Sequence, residues 1–411
     1  MKRTILGVIL ACAGLLSVQA QNREYVIVVH GGAGVMSALN GHPEQQEQYY
    51  AALDSALQVG EKQMQLTGKG VDVVMAVINY FESNPLFNAG IGATVSSAGQ
   101  FELDAAIMEG KDLTAGSVAG VKHIKHPINA AYAVKTKTEH VMLVADGADQ
   151  FAAENGLETV ADNMYFATPK TMQWVEKFKA ESKKNGTVGC VVLDKEGNLV
   201  AGTSTGGMLG KKYGRIGDAP IIGAGTYADN AGCAVSCTGH GEYYIRHSVG
   251  ANLNFRVKMM KQPLDEAAKE IIFKELNHDA GNGGLISVDY QGNYSMPYNS
   301  GGMFRGVLYR EKETGCMTEK VGIFEDMKTI VDDHRYLAGG YTRLHEVGEE
   351  EAALFKQVMK KNKEGLVPVK VATQVVAGLN YKYICTKPDG TEQTVVIYQP
   401  LPGQGKARRT E

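Results

Sequence analysis

Asn185-Gly186-Thr187-Val188-Gly189-Cys190-Val191-Val192-Leu193 runs into Asp194-Lys195-Glu196-Gly197-Asn198 and then Leu199-Val200-Ala201-Gly202-Thr203. The β-branched and apolar run from Thr187 to Leu193 reads as a strand, the Asp-to-Asn stretch as a turn and Leu199–Thr203 as the returning strand. Upstream, residues 174–185 are charged, lysine-rich and poor in large apolar side chains, as expected of the exposed end of a segment. Nearer the start, Tyr25-Val26-Ile27-Val28-Val29 reads as a buried strand entering His30-Gly31-Gly32-Ala33-Gly34. A helix follows, with Tyr49, Leu53, Ala56, Leu57, Gly60 and Met64 on one face. A second carries Val73, Val77 and Tyr80 and stops before Asn84-Pro85, because a residue preceding proline disfavours the helical region. Residues 232–238 and 285–290 read as further strands, with Gln291-Gly292-Asn293 as a hairpin turn. Strands clustered in sheets with helices in separate runs predict an α+β chain of helix layers packed on sheet.

The chain has 411 residues, enough for two or three units, and its apolar fraction of 44% is sufficient for a large core. Glycine is in excess, 49 residues scattered singly and in pairs, which predicts many tight turns and close backbone approaches. A net charge of −3 without a basic stripe gives no indication of nucleic-acid binding. Residues 1–20 have the form of a targeting segment: Lys2 and Arg3, an apolar run from Ile5 to Val18, then Val18-Gln19-Ala20 as a small-residue cleavage site. That run is short of the ~20 residues a membrane span requires, so export to the periplasm or the extracellular space is expected. Cys12 lies inside the run, which continues past it, so lipidation of Cys12 is left open. The other five cysteines, Cys190, Cys233, Cys237, Cys316 and Cys385, are odd in number and lack paired spacing, and are expected as buried thiols.

Thr187 alone would be an ordinary strand residue, but its company is specific. Thr203-Ser204-Thr205-Gly206-Gly207 lies on the paired strand, followed by Gly214-Arg215-Ile216-Gly217-Asp218-Ala219-Pro220, Gly223-Ala224-Gly225 and Ser236-Cys237-Thr238-Gly239 with Gly241-Glu242. With His30-Gly31-Gly32-Ala33-Gly34, Pro85-Leu86-Phe87-Asn88-Ala89-Gly90-Ile91-Gly92 and Glu102-Leu103-Asp104-Ala105, these strings make residues 25–310 resemble the isoaspartyl peptidase/L-asparaginase family of threonine N-terminal nucleophile hydrolases. The resemblance implies a four-layer αββα sandwich over residues 21–310, self-cleaved between Gly186 and Thr187. It implies an assembly of two αβ heterodimers and no catalytic cofactor. Elementary chemistry agrees with the cleavage. A threonine hydroxyl needs a base, and a freed α-amine on the same residue, with an ordinary pKa of about 7.7–8.0, would serve as one. Carried over position by position, the resemblance gives Thr205 as the hydroxyl partner of Thr187 and Asn88 as a residue positioning the nucleophile. Thr238 and the Gly239 N–H become the oxyanion hole, and Arg215 and Asp218 hold the substrate's α-carboxylate and α-ammonium, with Gly241 alongside. L-asparagine and β-aspartyl dipeptides satisfy such a site. A structural sodium ion is implied on the carbonyls of Phe81, Glu82, Asn84, Phe87, Ala89 and Ile91.

Residues 335–411, expected to follow a linker at 311–334, resemble the cystatins, small α+β inhibitors of papain-like cysteine proteases. Gly339-Gly340 matches their amino-terminal pair, Gln374-Val375-Val376-Ala377-Gly378 the first hairpin loop, and Leu401-Pro402 lies in the second. One helix at 347–362 across three strands is expected, acting either as a protease inhibitor or as a docking module. Two other readings of the whole chain remain at this stage: a glycosylasparaginase, and a non-catalytic scaffold presenting an inhibitory tail. Thr205-Gly206-Gly207 favours the isoaspartyl branch over the first, and the intact set around Thr187 speaks against the second.

Overall fold

A computed structural model describes residues 23–34, 36–169, 171–172, 186–330, 345–359, 362, 364–376, 378–400 and 406–410. The targeting segment 1–20 lies outside them, as do Gly339, Gly340, Ala377, Leu401 and Pro402.

The first half supplies strands β1 (Arg23–Ala33), β2 (Leu103–Glu109), β3 (Ala115–Val121) and β4 (Met142–Val144). The second supplies β5 (Val188–Leu193), β6 (Leu199–Thr205), β7 (Thr226–Ala228), β8 (Cys233–Gly239), β9 (Gly283–Asp289), β10 (Tyr294–Ser295), β11 (Met303–Glu311), β12 (Met317–Gly322) and β13 (Met327–Thr329). They form a nine-stranded sheet in the order β13-β12-β11-β1-β5-β6-β2-β3-β4 and a four-stranded sheet in the order β10-β9-β8-β7. Helices α1 (Pro43–Thr67) and α2 (Gly70–Glu82) cover the outer face of the larger sheet; α3 (Pro127–Lys137) and α4 (Ala145–Glu154) lie against β3. After the short α5 (Gly241–Arg246), α6 (Val249–Lys258) and α7 (Leu264–Glu270) cover the smaller sheet.

Strand alternation builds these layers. Along β1, Tyr25, Ile27 and Val29 enter the core beneath α1 and α2, whereas Val26 and Val28 enter the core between the two sheets with Ile286 and Val288. On β8, Cys233, Val235 and Cys237 face α6 and Ala234 faces the other sheet. The result is helix, sheet, sheet, helix, with the central strands of both sheets buried on both faces. All five described cysteines are buried free thiols.

The hairpin read first is present, with β6 two residues longer than expected. Asp194 sets its turn by accepting the N–H groups of Glu196 at 3.0 Å and Asn198 at 2.8 Å on one oxygen. Its other oxygen accepts the Gly70 N–H at 3.0 Å, fixing the start of α2 against the turn. Val188 stands opposite Ser204, so Thr187 at the mouth of β5 falls beside Thr205 at the end of β6.

The domain boundary expected at residue 310 falls inside β11, and the expected linker 311–334 carries β12 and β13 of the main sheet. The charged run there is the exposed β11–β12 turn and not a spacer. Beyond it, β14 (His345–Glu346), β15 (Val367–Val376), β16 (Gly378–Thr386), β17 (Glu392–Pro400) and β18 (Arg408–Arg409) make a separate five-stranded antiparallel sheet. Helix α8 (Glu349–Val358), shorter than the expected 347–362, lays Phe355 on a core with Val371, Tyr383, Val395 and Ile397. In the β15–β16 hairpin, Gln374 pairs with Asn380, Val375 with Leu379 and Val376 with Gly378. The buried Lys382 of β16 donates to the carbonyls of Glu313 and Thr314, seating this unit on the β11–β12 turn. Among the described residues no helix is long and apolar enough to cross a membrane.

Candidate active site

Thr187 is buried, and its hydroxyl donates to Thr205 Oγ1 at 3.2 Å. Thr205 in turn donates to the Gly186 carbonyl at 2.9 Å and accepts the Gly207 N–H at 2.9 Å. One hydroxyl thus accepts a hydrogen bond from the prospective nucleophile and donates its own to the carbonyl that nucleophile would attack. Asn88 adds a second donor: Nδ2 lies 2.5 Å from Gly186 O and 2.8 Å from Gly207 O. The orientation of this amide follows from Thr94, whose N–H can only donate and does so to Asn88 Oδ1 at 2.7 Å. The structure therefore places Asn88 on the carbonyl preceding Thr187, where the sequence reading had it positioning the threonine itself.

A cavity opens at this point, lined by Gly186, Thr187 and Thr205 on one side and by Arg215, Asp218 and Gly239 on the other. Gly207, Gly217 and Met208 complete its wall. Thr238 lies at the end of β8, with its Oγ1 accepting the Ala33 N–H at 3.1 Å, so the hydroxyl proton is left to donate elsewhere. Gly239 has φ +149°, and a Cβ there would lie 2.3 Å from Asn282 O; only glycine fits this bend.

Arg215 and Asp218 lie together. A Cβ at Gly241 would approach Asp218 Oδ1 to 2.7 Å and Arg215 Nη2 to 2.9 Å, so the expected Gly241 clears space for both. Arg215 is held by Glu242 in a two-pronged pair, Nε and Nη2 each 2.9 Å from a carboxylate oxygen. Although partial burial opposes ionisation, this guanidinium holds the Glu242 carboxyl below the usual range. Asp218 is different. Burial pushes its carboxyl up to about 7 against the opposing influence of Arg215, and its Oδ2 has no hydrogen-bond partner among the described residues. A buried carboxylate oxygen without a donor beside a cavity is suited to a cationic ligand group.

The loop after α2 closes on itself. The carbonyls of Phe81, Glu82 and Asn84 accept the N–H groups of Asn84 at 3.1 Å, Ile91 at 2.8 Å and Phe87 at 3.3 Å, and Phe81 O also accepts from Ser83. The position a Cβ would take on Gly92 is 2.7 Å from Pro85 O and 2.8 Å from Phe87 O, so carbonyl oxygens crowd the inside of the loop. Neutral oxygens of this kind fit a hard monovalent cation. Among the described residues no group of three or more His, Cys, Asp or Glu side chains is placed to hold a metal.

Sequence reasoning missed Met208, and it quoted Glu242 without giving it a role. An acidic residue immediately after Gly241 was the available signal for the latter.

Residues 23–318 match the family model described as Asparaginase. The chain belongs to the asparaginase family. Within it, the chain is 41% identical to the isoaspartyl peptidase of Salmonella typhimurium over 298 residues, 69% of this chain and 95% of that protein. It is 39% identical to the isoaspartyl peptidase of Escherichia coli over 310 residues, covering 72% and 97%. The isoaspartyl peptidase/L-asparaginase of Rattus norvegicus is 39% identical over 287 residues, covering 68% and 84%. Membership makes the chain a hydrolase, and the matched span ends inside β12 of the main sheet.

Proposed function

We propose that this hydrolase matures by breaking its own Gly186–Thr187 bond and then cleaves the β-amide of L-asparagine and the β-peptide bond of β-aspartyl dipeptides. The carrying observation is the hydrogen-bond polarity at the bond itself. Thr187 donates to Thr205, and Thr205 and Asn88 both donate to the Gly186 carbonyl. Attack by Thr187 Oγ1 on that carbonyl carbon places negative charge on an oxygen already facing two donors. The C–N bond breaks, the proton passes to the departing nitrogen, and water hydrolyses the resulting ester. Gly186 is left with a carboxylate, and Thr187 with a hydroxyl and an amine.

The freed amine then acts as base for the hydroxyl on substrate. Thr238 and the Gly239 N–H stabilise the tetrahedral oxyanion, and Arg215 takes the α-carboxylate. The unpartnered oxygen of Asp218 takes the α-ammonium, which favours a substrate with both groups free and its scissile bond at the β-carbonyl. The curated relatives named for isoaspartyl peptidase activity support the same substrate class. A cation on the carbonyls of Phe81, Glu82, Asn84, Phe87, Ala89 and Ile91 would stiffen the loop that carries Asn88. Residues 1–20 direct export. The terminal unit, one helix on an antiparallel sheet, is a cystatin-like module whose target is a papain-like protease.

Intact-mass analysis tests the core of this reading. Wild type should give two chains meeting at 186/187, and Thr187→Ala one chain without turnover of β-Asp-Leu or L-Asn. A fully active single chain would refute it. Titrating papain with the full protein tests the tail; undiminished papain activity at micromolar protein removes that part alone.

A further inference from the structure

The geometry around Thr187 includes one side chain to which no step above assigns a task. His30, fully buried on β1, places Nδ1 2.9 Å from the Thr187 carbonyl and Nε2 2.9 Å from Ser236 Oγ. We infer that His30 is a positioning residue for Thr187, a neutral imidazole clamp that keeps the nucleophile in place once its upstream peptide bond is gone. The inference rests on Thr187 being the nucleophile and adds to that reading the group that orients it.

The protonation pattern follows from valence. A carbonyl only accepts, so Nδ1 carries the hydrogen and Nε2 is the acceptor. Ser236 must then donate to Nε2, which leaves its oxygen to accept from Thr203 Oγ1 at 2.7 Å. Thr203 Oγ1 lies 2.6 Å from Thr226 Oγ1, whose single proton is shared with the Ala219 carbonyl at 2.9 Å. Three buried side chains, His30 of β1, Ser236 of β8 and Thr203 of β6, thereby form a one-way chain ending on Thr187 O. Burial holds the imidazole down to about 3, against the raising influence of the Thr187 carbonyl, so it stays neutral across the working range of a hydrolase. A neutral ring leaves the basicity of the neighbouring α-amine undisturbed.

The backbone also makes room for this contact. A Cβ at Gly189 would lie 2.1 Å from Ser236 Oγ and 2.3 Å from His30 Nε2, so only glycine at this position lets the ring and the serine meet above β5. That explains the glycine two residues after Thr187, which the proposed chemistry does not otherwise use. Before scission, Thr187 is also fixed through Gly186, whose carbonyl Asn88 and Thr205 hold. After scission that tether is lost. Thr187 then lies at a strand end, anchored through its carbonyl to His30.

The test combines spectroscopy with kinetics. In cleaved wild type, ¹⁵N NMR of the imidazole signal that disappears in His30→Asn should show Nδ1–H with bare Nε2, unchanged from pH 5 to 9. An Nε2–H tautomer, or titration within that range, overturns the inference even if a variant fails to mature. Kinetically, His30→Ala should lower kcat by about a hundred-fold with KM for β-Asp-Leu little changed, the signature of a misplaced reacting group. His30→Asn, whose Nδ2–H can replace the Nδ1–H donor, should recover kcat to within about tenfold of wild type. Equal kcat in His30→Ala and His30→Asn, or a loss confined to KM, would overturn it. Turnover by Thr187→Ala would instead remove the nucleophile reading and leave the tautomer result standing.

Discussion

Asn at position 218 should make the protein more stable and less active, and the stability gain should depend on pH. Asp218 is buried, with one oxygen unpartnered, and burial moves its carboxyl from the usual value of 3.8 to about 7. Below about pH 4 the group is protonated in both folded and unfolded chains and costs nothing. Between 4 and 7 the unfolded chain ionises while the folded one resists, so the folded state loses about 1.4 kcal/mol per pH unit. Above 7 the penalty is complete, and a shift of roughly three units sets its ceiling near 4 kcal/mol. Asp218→Asn removes the ionisation. In the single-chain Thr187→Ala background, urea unfolding followed by circular dichroism should show little gain at pH 4 and several kcal/mol at pH 8. A gain of the same size at both pH values, or a larger one at pH 4, would refute the argument. With Thr187 intact, the same substitution should lower kcat/KM for L-Asn by about 10- to 150-fold, the effect of losing a charged hydrogen bond to the α-ammonium.

Three further outcomes can be checked. Asn88→Ala removes one of two donors on the Gly186 carbonyl and should slow self-cleavage about 10²- to 10³-fold, read from a gel time course. Glu242→Gln breaks the charge balance of the two-pronged pair holding Arg215 and should raise KM for L-Asn about fivefold, while leaving KM for asparagine amide, which lacks the carboxylate, near its wild-type value. Phe355→Ala empties the centre of the terminal core and should cost that unit about 3–5 kcal/mol, measured by hydrogen exchange, with little change in β-Asp-Leu turnover.

What the sequence revealed was mostly local. The β5–β6 hairpin was legible because a β-branched run, an Asp-to-Asn turn and a second apolar run are adjacent in the chain. The partnership of Thr187 and Thr205 came from the family resemblance, and the hairpin register of the folded chain brings the two together. Both long helices were visible in the spacing of their apolar residues. The terminal boundary was not, because the charges at 311–313 look the same in a linker as in the exposed turn of a sheet hairpin. Contacts made only by stacking two sheets were also hidden. His30 and Ser236 are 206 residues apart, and no local pattern announces that an imidazole will reach between layers. The pairing of Arg215 with Glu242 spans 27 residues and depends on the bend at Gly239, whose unusual φ only the folded chain displays.

The strand order of the larger sheet has a consequence for the proposed scission at Gly186–Thr187. Strand β1 comes from upstream of residue 186 yet lies between β11 and β5, and β2 pairs with β6, so the two products of scission are woven together across three seams. Dilution should not part them, because parting would strip the ladder bonds from the middle of a sheet. If the bond is cut as proposed, folding must therefore come first and scission second. A nicked molecule that is once fully unfolded has two strangers to reunite where nascent synthesis had a single thread, and its return to activity becomes a bimolecular event governed by concentration.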